Sequence, residues 1–425
     1  MAHIAILTIG AHGHINPTID LVTEAVTRGH RVTYCVPAGF GSAAETAGAR
    51  LLTYGSLLTP QPASPPSGPA PAPPVDAPAQ APTAAELAAY LPFILLAESG
   101  HVVPQLLKAF ADDIPDVLLY DRTAYATGRA LGERWRRPAV EVFVSFAYNE
   151  HFSLAAATHQ QSVLDPDHHA YRALADQLAA FATATGTQPV TVDDFVLGRT
   201  DEAIAFLPRA FQYAGDTFGS GHEFVGPCLR TRLAASTPTG APDRHRPVEI
   251  YASLGTAFTD RPQTYDAIID ALGQVDARSL LSMGSIGHDG TVPDAGNDRV
   301  EIRASVDQLS ALATARVFVT HAGMGSVMEA LYFGVPLVCL PRTTEQQTVA
   351  RRIAELGLGI DLGADAPTPA GLRTAIERAQ TDPRILRSVR AMRDVVRATG
   401  GATAAMDAVQ RLLAQRSAAL CAGTP

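Results

Sequence analysis

The chain opens His3-Ile4-Ala5-Ile6-Leu7-Thr8-Ile9-Gly10-Ala11-His12-Gly13-His14-Ile15-Asn16-Pro17, and this stretch decides the fold class. Ile4 to Ile9 is a nearly continuous apolar run, which suits a strand of a parallel sheet covered on both faces. Asn16 and Pro17 then supply a cap residue and a first-turn proline for an amphipathic helix ending near Gly29. Arg31 to Val36 reads as the next strand, so the opening is a β-loop-α-β unit. The pattern returns at Val117 to Tyr120, with a helix after Asp121 and a further strand from Ala139 to Val144.

Outward from this unit, Pro60 to Pro82 is dominated by Pro, Ala and Ser and reads as a mobile surface loop. Two helical segments are expected after it, Ala84 to Ala97 and Val102 to Ala111, rich in Leu, Phe and Ile. From about Gly219 to Pro247 the chain turns polar and rich in Gly, Pro, Thr and Arg, which marks an interdomain linker. A second α/β alternation follows, with strands at Glu249–Leu254, Ser279–Met283, Arg299–Ile302, Val317–Thr320 and Pro336–Leu340, and helix from Thr368 almost to the end. The expectation is an α/β protein of two Rossmann-like doubly wound domains, residues 1–220 and 248–425, joined by a linker over 221–247. Ligands of such sheets bind beyond the carboxyl ends of the strands, so a cleft between the domains can bring two ligands together.

A chain of 425 residues, 47% hydrophobic and 18% charged, has ample material for two cores. With 33 Lys and Arg against 42 Asp and Glu, and no basic stripe, nucleic acid is not an expected partner. The start enters an apolar strand directly, without a basic leader, and no apolar run reaches the roughly 20 residues of a membrane span. Cys35, Cys228, Cys339 and Cys421 lie far apart. Free thiols in a cytoplasmic protein are therefore expected.

Four segments carry chemistry. The turn bearing His14 follows the first strand, where an imidazole can act as general base on a substrate hydroxyl; read alone, a loop histidine is more often a surface residue. Asp121 ends another strand on the same rim. Its carboxylate can hold the imidazole in one tautomer, or it can simply cap the helix that follows. Thr320-His321-Ala322-Gly323-Met324-Gly325-Ser326 follows a buried strand and opens the helix carrying Glu329. Small residues there admit a ligand's approach, and helix N-terminal N–H groups favour phosphate. Pro341 to Gln347 again follows a strand, and its Glu345 and Gln346 suit sugar hydroxyls, unless they only begin a solvated helix. Asp165-Pro166-Asp167 contains an Asp-x-Asp pattern able to hold Mg²⁺ or Mn²⁺, but no strand leads into it and a solvated turn is favoured.

Taken together, these segments resemble the family 1 nucleotide-sugar glycosyltransferases of GT-B fold, and most closely the actinobacterial macrolide glycosyltransferases. The resemblance is dense at His12 to Pro17, Pro115 to Asp121 and Ser253-Leu254-Gly255-Thr256-Ala257-Phe258-Thr259-Asp260, and densest from Thr320 to Leu331. It recurs at Glu345-Gln346 and Glu355 to Gly359. It implies His14 as base with Asp121 as partner, Thr256, His321, Gly325 and Ser326 at the donor diphosphate, and Gly323 also in the donor site. Glu329 would take the ribose, and Glu345 and Gln346 the sugar. The implied reaction is inverting transfer from a UDP- or dTDP-sugar, UDP-glucose first, to a hydroxyl of a hydrophobic acceptor such as a macrolide. No cofactor or metal is implied, and a homodimer is left open.

Two positions depart from the family pattern. Where a base-stacking Trp is common, this chain reads Ala304-Ser305-Val306-Asp307-Gln308, so Ser305 replaces the platform. Arg122, directly after Asp121, is expected to contact a polar or acidic acceptor group or to point to solvent. A nucleotide-sugar epimerase and a noncatalytic binding protein are the alternatives from other classes; a pure binder has no use for a base and its orienter.

Overall fold

The computed structural model describes residues 1–59, 84–157, 163–198, 200–235, 248–255, 262–284 and 293–422. The loop expected over Pro60 to Pro82 lies outside the described residues, as do residues 236–247 of the expected linker.

Seven parallel strands form the first sheet: β1 (His3–Leu7), β2 (Arg31–Pro37), β3 (Arg50–Tyr54), β4 (Val117–Asp121), β5 (Ala139–Phe143), β6 (Ala203–Ala205) and β7 (His222–Phe224). Their order is β3-β2-β1-β4-β5-β6-β7. The second sheet holds β8 (Ile250–Ser253), β9 (Ser279–Ser282), β10 (Val300–Arg303), β11 (Val317–Thr320), β12 (Leu337–Cys339) and β13 (Gly359–Asp361), in the order β10-β9-β8-β11-β12-β13. Every strand pair is parallel and helices cover both faces, so β1, β4, β8 and β11 are buried throughout, which is why they read as apolar runs.

In each sheet the strand order reverses once, between β1 and β4 and between β8 and β11. These are the switch points at which the loops above the strands diverge and leave a crevice. His14 follows β1 and Asp121 ends β4; Gly255 follows β8 and His321 follows β11. Both candidate sites thus rise from a switch point, one per domain.

Several expectations are corrected. The first helix begins at His12, not after Asn16, because Ala11 adopts the extended cap conformation and its carbonyl accepts from the N–H groups of His14 and Ile15. Pro17 therefore sits inside the helix, with no N–H to offer the Gly13 carbonyl. The two helical segments expected after residue 84 are one helix, Ala84–Ala109. Between the two expected segments the helix continues through Glu98 and Ser99: Glu98 Oε2 accepts from the Leu57 N–H at 2.7 Å and Ser99 donates to the Leu95 carbonyl. Leu96, Val102, Val103 and Leu106 of this helix enter the core, while Tyr90, Leu91 and Ile94 stay exposed. The linker expected over 221–247 contains β7, the edge of the first sheet, and a short helix, Arg230–Ala235.

The last helix, Gly401–Ala422, returns to the first domain. Its Ala405, Met406 and Val409 share a core with Ile19 and Leu21 of the His12–Thr27 helix, and Arg28 bonds Asp407 at 2.6 Å and Gln410 at 2.7 Å. A second tie is Arg352, which donates to the Phe211 and Gln212 carbonyls and stacks over Tyr213.

Candidate active site

His14 and Asp121 meet above the first switch point, with Nδ1 and Oδ2 2.7 Å apart. Asp121 is 3% exposed and His14 26%, so the carboxylate is sealed in while the ring faces the cleft. The two readings of Asp121 prove compatible. Its Oδ1 caps the turn after β4, accepting from the Thr123 N–H at 2.8 Å and hydroxyl at 2.5 Å, while Oδ2 holds the imidazole. Burial opposes charge on His14, but the Asp121 carboxylate, its hydrogen bond and Glu345 across the cleft outweigh it and hold the pKa above 6.5. For Asp121, burial is likewise outweighed, by His14 and Thr123, and the carboxyl stays below its ordinary range.

At the second switch point Ala322 takes a left-handed φ of 63°, turning the chain from β11 into the helix Met324–Phe333. The cap residue Gly323 offers no side chain, so the first N–H groups of that helix have no side-chain acceptor and are available to an anion. Burial pushes His321 down to about 4, against the opposing pull of the Ser253 backbone, leaving a neutral ring. That ring is wedged between two glycines: a β-carbon on Gly255 would stand 2.8 Å from its Cε1, and one on Gly323 would stand 2.5 Å from its Nε2.

One turn along the same helix, Ser326 and Glu329 join a polar chain. Gln308 Nε2 donates to Ser326 Oγ at 3.1 Å and to Glu329 Oε2 at 2.6 Å, and Arg232 donates to Glu329 Oε1. Glu329 is buried with both oxygens engaged. Neither Arg232 nor Gln308 was picked out by sequence reasoning. Arg232 lies in the expected linker, outside any motif, and only the tertiary structure carries it to the cleft.

The start of the Thr344–Glu355 helix forms a capping box: Thr343 Oγ1 accepts from the Gln346 N–H, and Gln346 Oε1 accepts from the N–H groups of Thr343 and Arg342. Half of the Gln346 amide thus serves the cap, and Nε2 is the half outside it. His14, Arg232, Ser305, His321, Gly323, Gly325, Ser326, Glu329, Glu345 and Gln346 all line one cavity of about 590 Å³ between the domains.

Thr256 lies outside the described residues. Ser305 is exposed on the cavity wall; the two aromatic rings among the described lining residues, Phe206 and Tyr251, are both buried. Arg122, expected at the acceptor or in solvent, turns its guanidinium inward to Glu141 Oε1 at 3.2 Å and the Phe195 carbonyl at 2.5 Å, lies over the Tyr125 ring, and is not among the residues lining the cavity. Most of the side chain is covered, because the buried Glu141 carboxylate draws it in. Asp165 Oδ1 accepts from the Asp167 N–H in a tight turn, and no group of three metal-ligating side chains occurs among the described residues.

Residues 266–411 match the family model of the erythromycin biosynthesis protein CIII-like C-terminal domain. NDP-glycosyltransferase YjiC of Bacillus licheniformis is 35% identical over 97% of this chain and 98% of its own length. Demethyllactenocin mycarosyltransferase of Streptomyces fradiae is 33% identical over 97% of this chain and 87% of its own. This chain is a family 1 glycosyltransferase of the macrolide type. Its fold is GT-B: the crystal structure of CalG4, the calicheamicin glycosyltransferase, superposes with a TM-score of 0.78 at 29% identity, covering 98% of this chain and 99% of that one. The transferase is an enzyme of natural-product type, which removes the epimerase and noncatalytic alternatives. No helix among its described residues is long and apolar enough to cross a membrane.

Proposed function

We propose that the enzyme transfers glucose from UDP-glucose to a hydroxyl of a hydrophobic natural product such as a macrolide, inverting the anomeric carbon. The observation that carries this reading is the 2.7 Å contact between His14 Nδ1 and Asp121 Oδ2, because His14 lines the cavity and, with Nδ1 engaged by the carboxylate, Nε2 is the nitrogen left to act as base. Nε2 takes the acceptor hydroxyl proton as its oxygen attacks the anomeric carbon. The bond to the diphosphate oxygen breaks on the opposite side, its electron pair leaves with the nucleoside diphosphate, and an α-linked donor yields a β-glycoside. Asp121 stays ionised and stabilises the imidazolium. Glu345 and the free half of the Gln346 amide would accept from and donate to adjacent sugar hydroxyls, which favours a hydroxyl-rich hexose.

The leaving diphosphate would be received by the uncapped N-terminus of Met324–Phe333, His321 and Ser326, so transfer should not require a metal. A dTDP-deoxysugar donor is the second reading, favoured by Ser305, which gives the base no aromatic platform to select it.

The test is mass spectrometry of products from a macrolide and polyphenol panel incubated with UDP-glucose and dTDP-glucose, with and without EDTA. His14→Ala should cut turnover by roughly 10²–10⁴-fold with nucleotide affinity nearly unchanged. Turnover within a few-fold of the parent would remove His14 from the mechanism. Complete loss in EDTA, restored by Mn²⁺ or Mg²⁺, would bring Asp165 and Asp167 back into consideration.

A further inference from the structure

The proposed donor carries a diphosphate, yet its expected partners His321 and Ser326 and the helix N-terminus supply dipoles and no full positive charge, and Arg342, whose charge acts on His321, does not line the cavity. His321 is neutral, Ser326 is a hydroxyl, and a helix N-terminus amounts to about half a charge. The cavity wall also bears the carboxylates of Glu329 and Glu345, which repel an incoming anion. Among the described residues lining that wall, Arg232 is the one Lys or Arg. Its guanidinium meets Glu329 Oε1, and Gln308 links the other oxygen of Glu329 to Ser326 Oγ. Ser326 and Glu329 stand three residues apart on one helix, so they share a face, and the guanidinium reaches that face.

We propose that Arg232 is the cation that binds the donor diphosphate, leaving Glu329 to the ribose hydroxyls when the nucleotide enters. The inference rests on the donor-site reading above and adds a residue to it. Arg232 is well placed to exchange partners. Its side chain is 29% exposed, and a planar guanidinium bonds phosphate in the same forked geometry as carboxylate. Its two predecessors are fixed to the first domain: the Thr231 N–H donates to Asp20 Oδ1 at 2.8 Å, and Arg230 pairs with Glu24. The short Arg230–Ala235 helix therefore carries a charge tethered to the acceptor domain across to the donor site, and binding the diphosphate through it draws the two domains onto one ligand.

The experiment is calorimetric titration of UDP and of dTDP into the parent, Arg232→Gln, Arg232→Lys, Glu329→Gln and the double variant Arg232→Gln/Glu329→Gln. Arg232→Gln should weaken the better nucleotide about tenfold or more, and by a similar factor in the Glu329→Gln background. Arg232→Lys, which keeps the charge but loses the fork, should fall between the parent and Arg232→Gln, and a Lys variant as weak as Arg232→Gln would overturn the role of the charge. If the effect vanishes once Glu329 is removed, Arg232 acts only through that carboxylate and the proposal is overturned. Unchanged or tighter binding in Arg232→Gln overturns it as well, and makes the pair a contact that competes with the ribose. If neither nucleotide binds the parent, the donor-site reading itself has failed, which is visible before any variant is compared.

Discussion

Gly323 and the ring of His321 lie so close that a β-carbon on Gly323 would stand 2.5 Å from Nε2. The glycine backbone is at an ordinary negative φ there, so what requires glycine is space for the ring and not backbone conformation. Gly323→Ala should push the imidazole aside, at about 1–3 kcal/mol for overpacking, and weaken nucleotide binding as much as His321→Ala does. Gly325 is the control. A β-carbon there meets no protein atom within 4 Å, so Gly325→Ala should keep the parent's thermal stability, and any loss of affinity reports crowding of the ligand. Calorimetry and thermal melts on the three variants check this; a Gly323→Ala protein that binds nucleotide like the parent would refute the steric argument.

The second prediction concerns pH. The base must be neutral to accept a proton, and Asp121 holds the His14 pKa above 6.5. The acid limb of turnover should accordingly fall above pH 6.5 in the parent, with activity rising as pH passes through it. Asp121→Asn removes the charge that supports the imidazolium, so the limb should move to lower pH while the maximal rate drops. A pH–turnover profile of both proteins decides it, and a limb that stays in place would mean that some other group titrates.

Base recognition gives the third. Base–aromatic stacking is worth about 1–3 kcal/mol in nucleic-acid complexes, so the platform missing at Ser305 corresponds to one or two decades of affinity. Ser305 is exposed on the cavity wall. Ser305→Trp should tighten binding of UDP or dTDP by about tenfold and leave the pH profile set by His14 unmoved. Weaker binding in the variant would show that another group already occupies the stacking position.

Glu141 makes the fourth. Burial pushes its carboxyl up to about 7 in spite of the Arg122 ion pair, and its Oε2 has no partner among the described residues. A carboxyl whose pKa is higher folded than unfolded binds its proton better in the native state. Its contribution therefore declines as pH rises from about 4.5, the unfolded value, through 7. Glu141→Gln should abolish that decline, so the difference between parent and variant in urea unfolding should shift in the variant's favour between pH 5 and pH 8. A constant difference across that range would place the Glu141 pKa at its ordinary value.

The parallel α/β alternation and the positions of both motif segments were legible because buried parallel strands must be apolar on both faces, and because a strand-to-helix turn is local in sequence. His14 lies a few residues beyond β1, and His321 to Glu329 is one turn and one helix. Short edge elements left no such mark: β6 and β7 have three residues each, too few to show a period, and β7 was read as linker. The expected interruption of the long helix is absent where Glu98 finds a partner in the Leu57 N–H, 41 residues away along the chain. The partners of charges were beyond reach for the same reason. Arg122 looked like a cleft residue until the fold set the buried Glu141 beside it on the neighbouring strand, and Arg232 looked like linker until the fold brought it to Glu329, 97 residues away. A hydrophobic pattern is written along the chain because each element must bury its own face, whereas the pairing of charges is settled by which elements meet in space, and only the tertiary structure decides that.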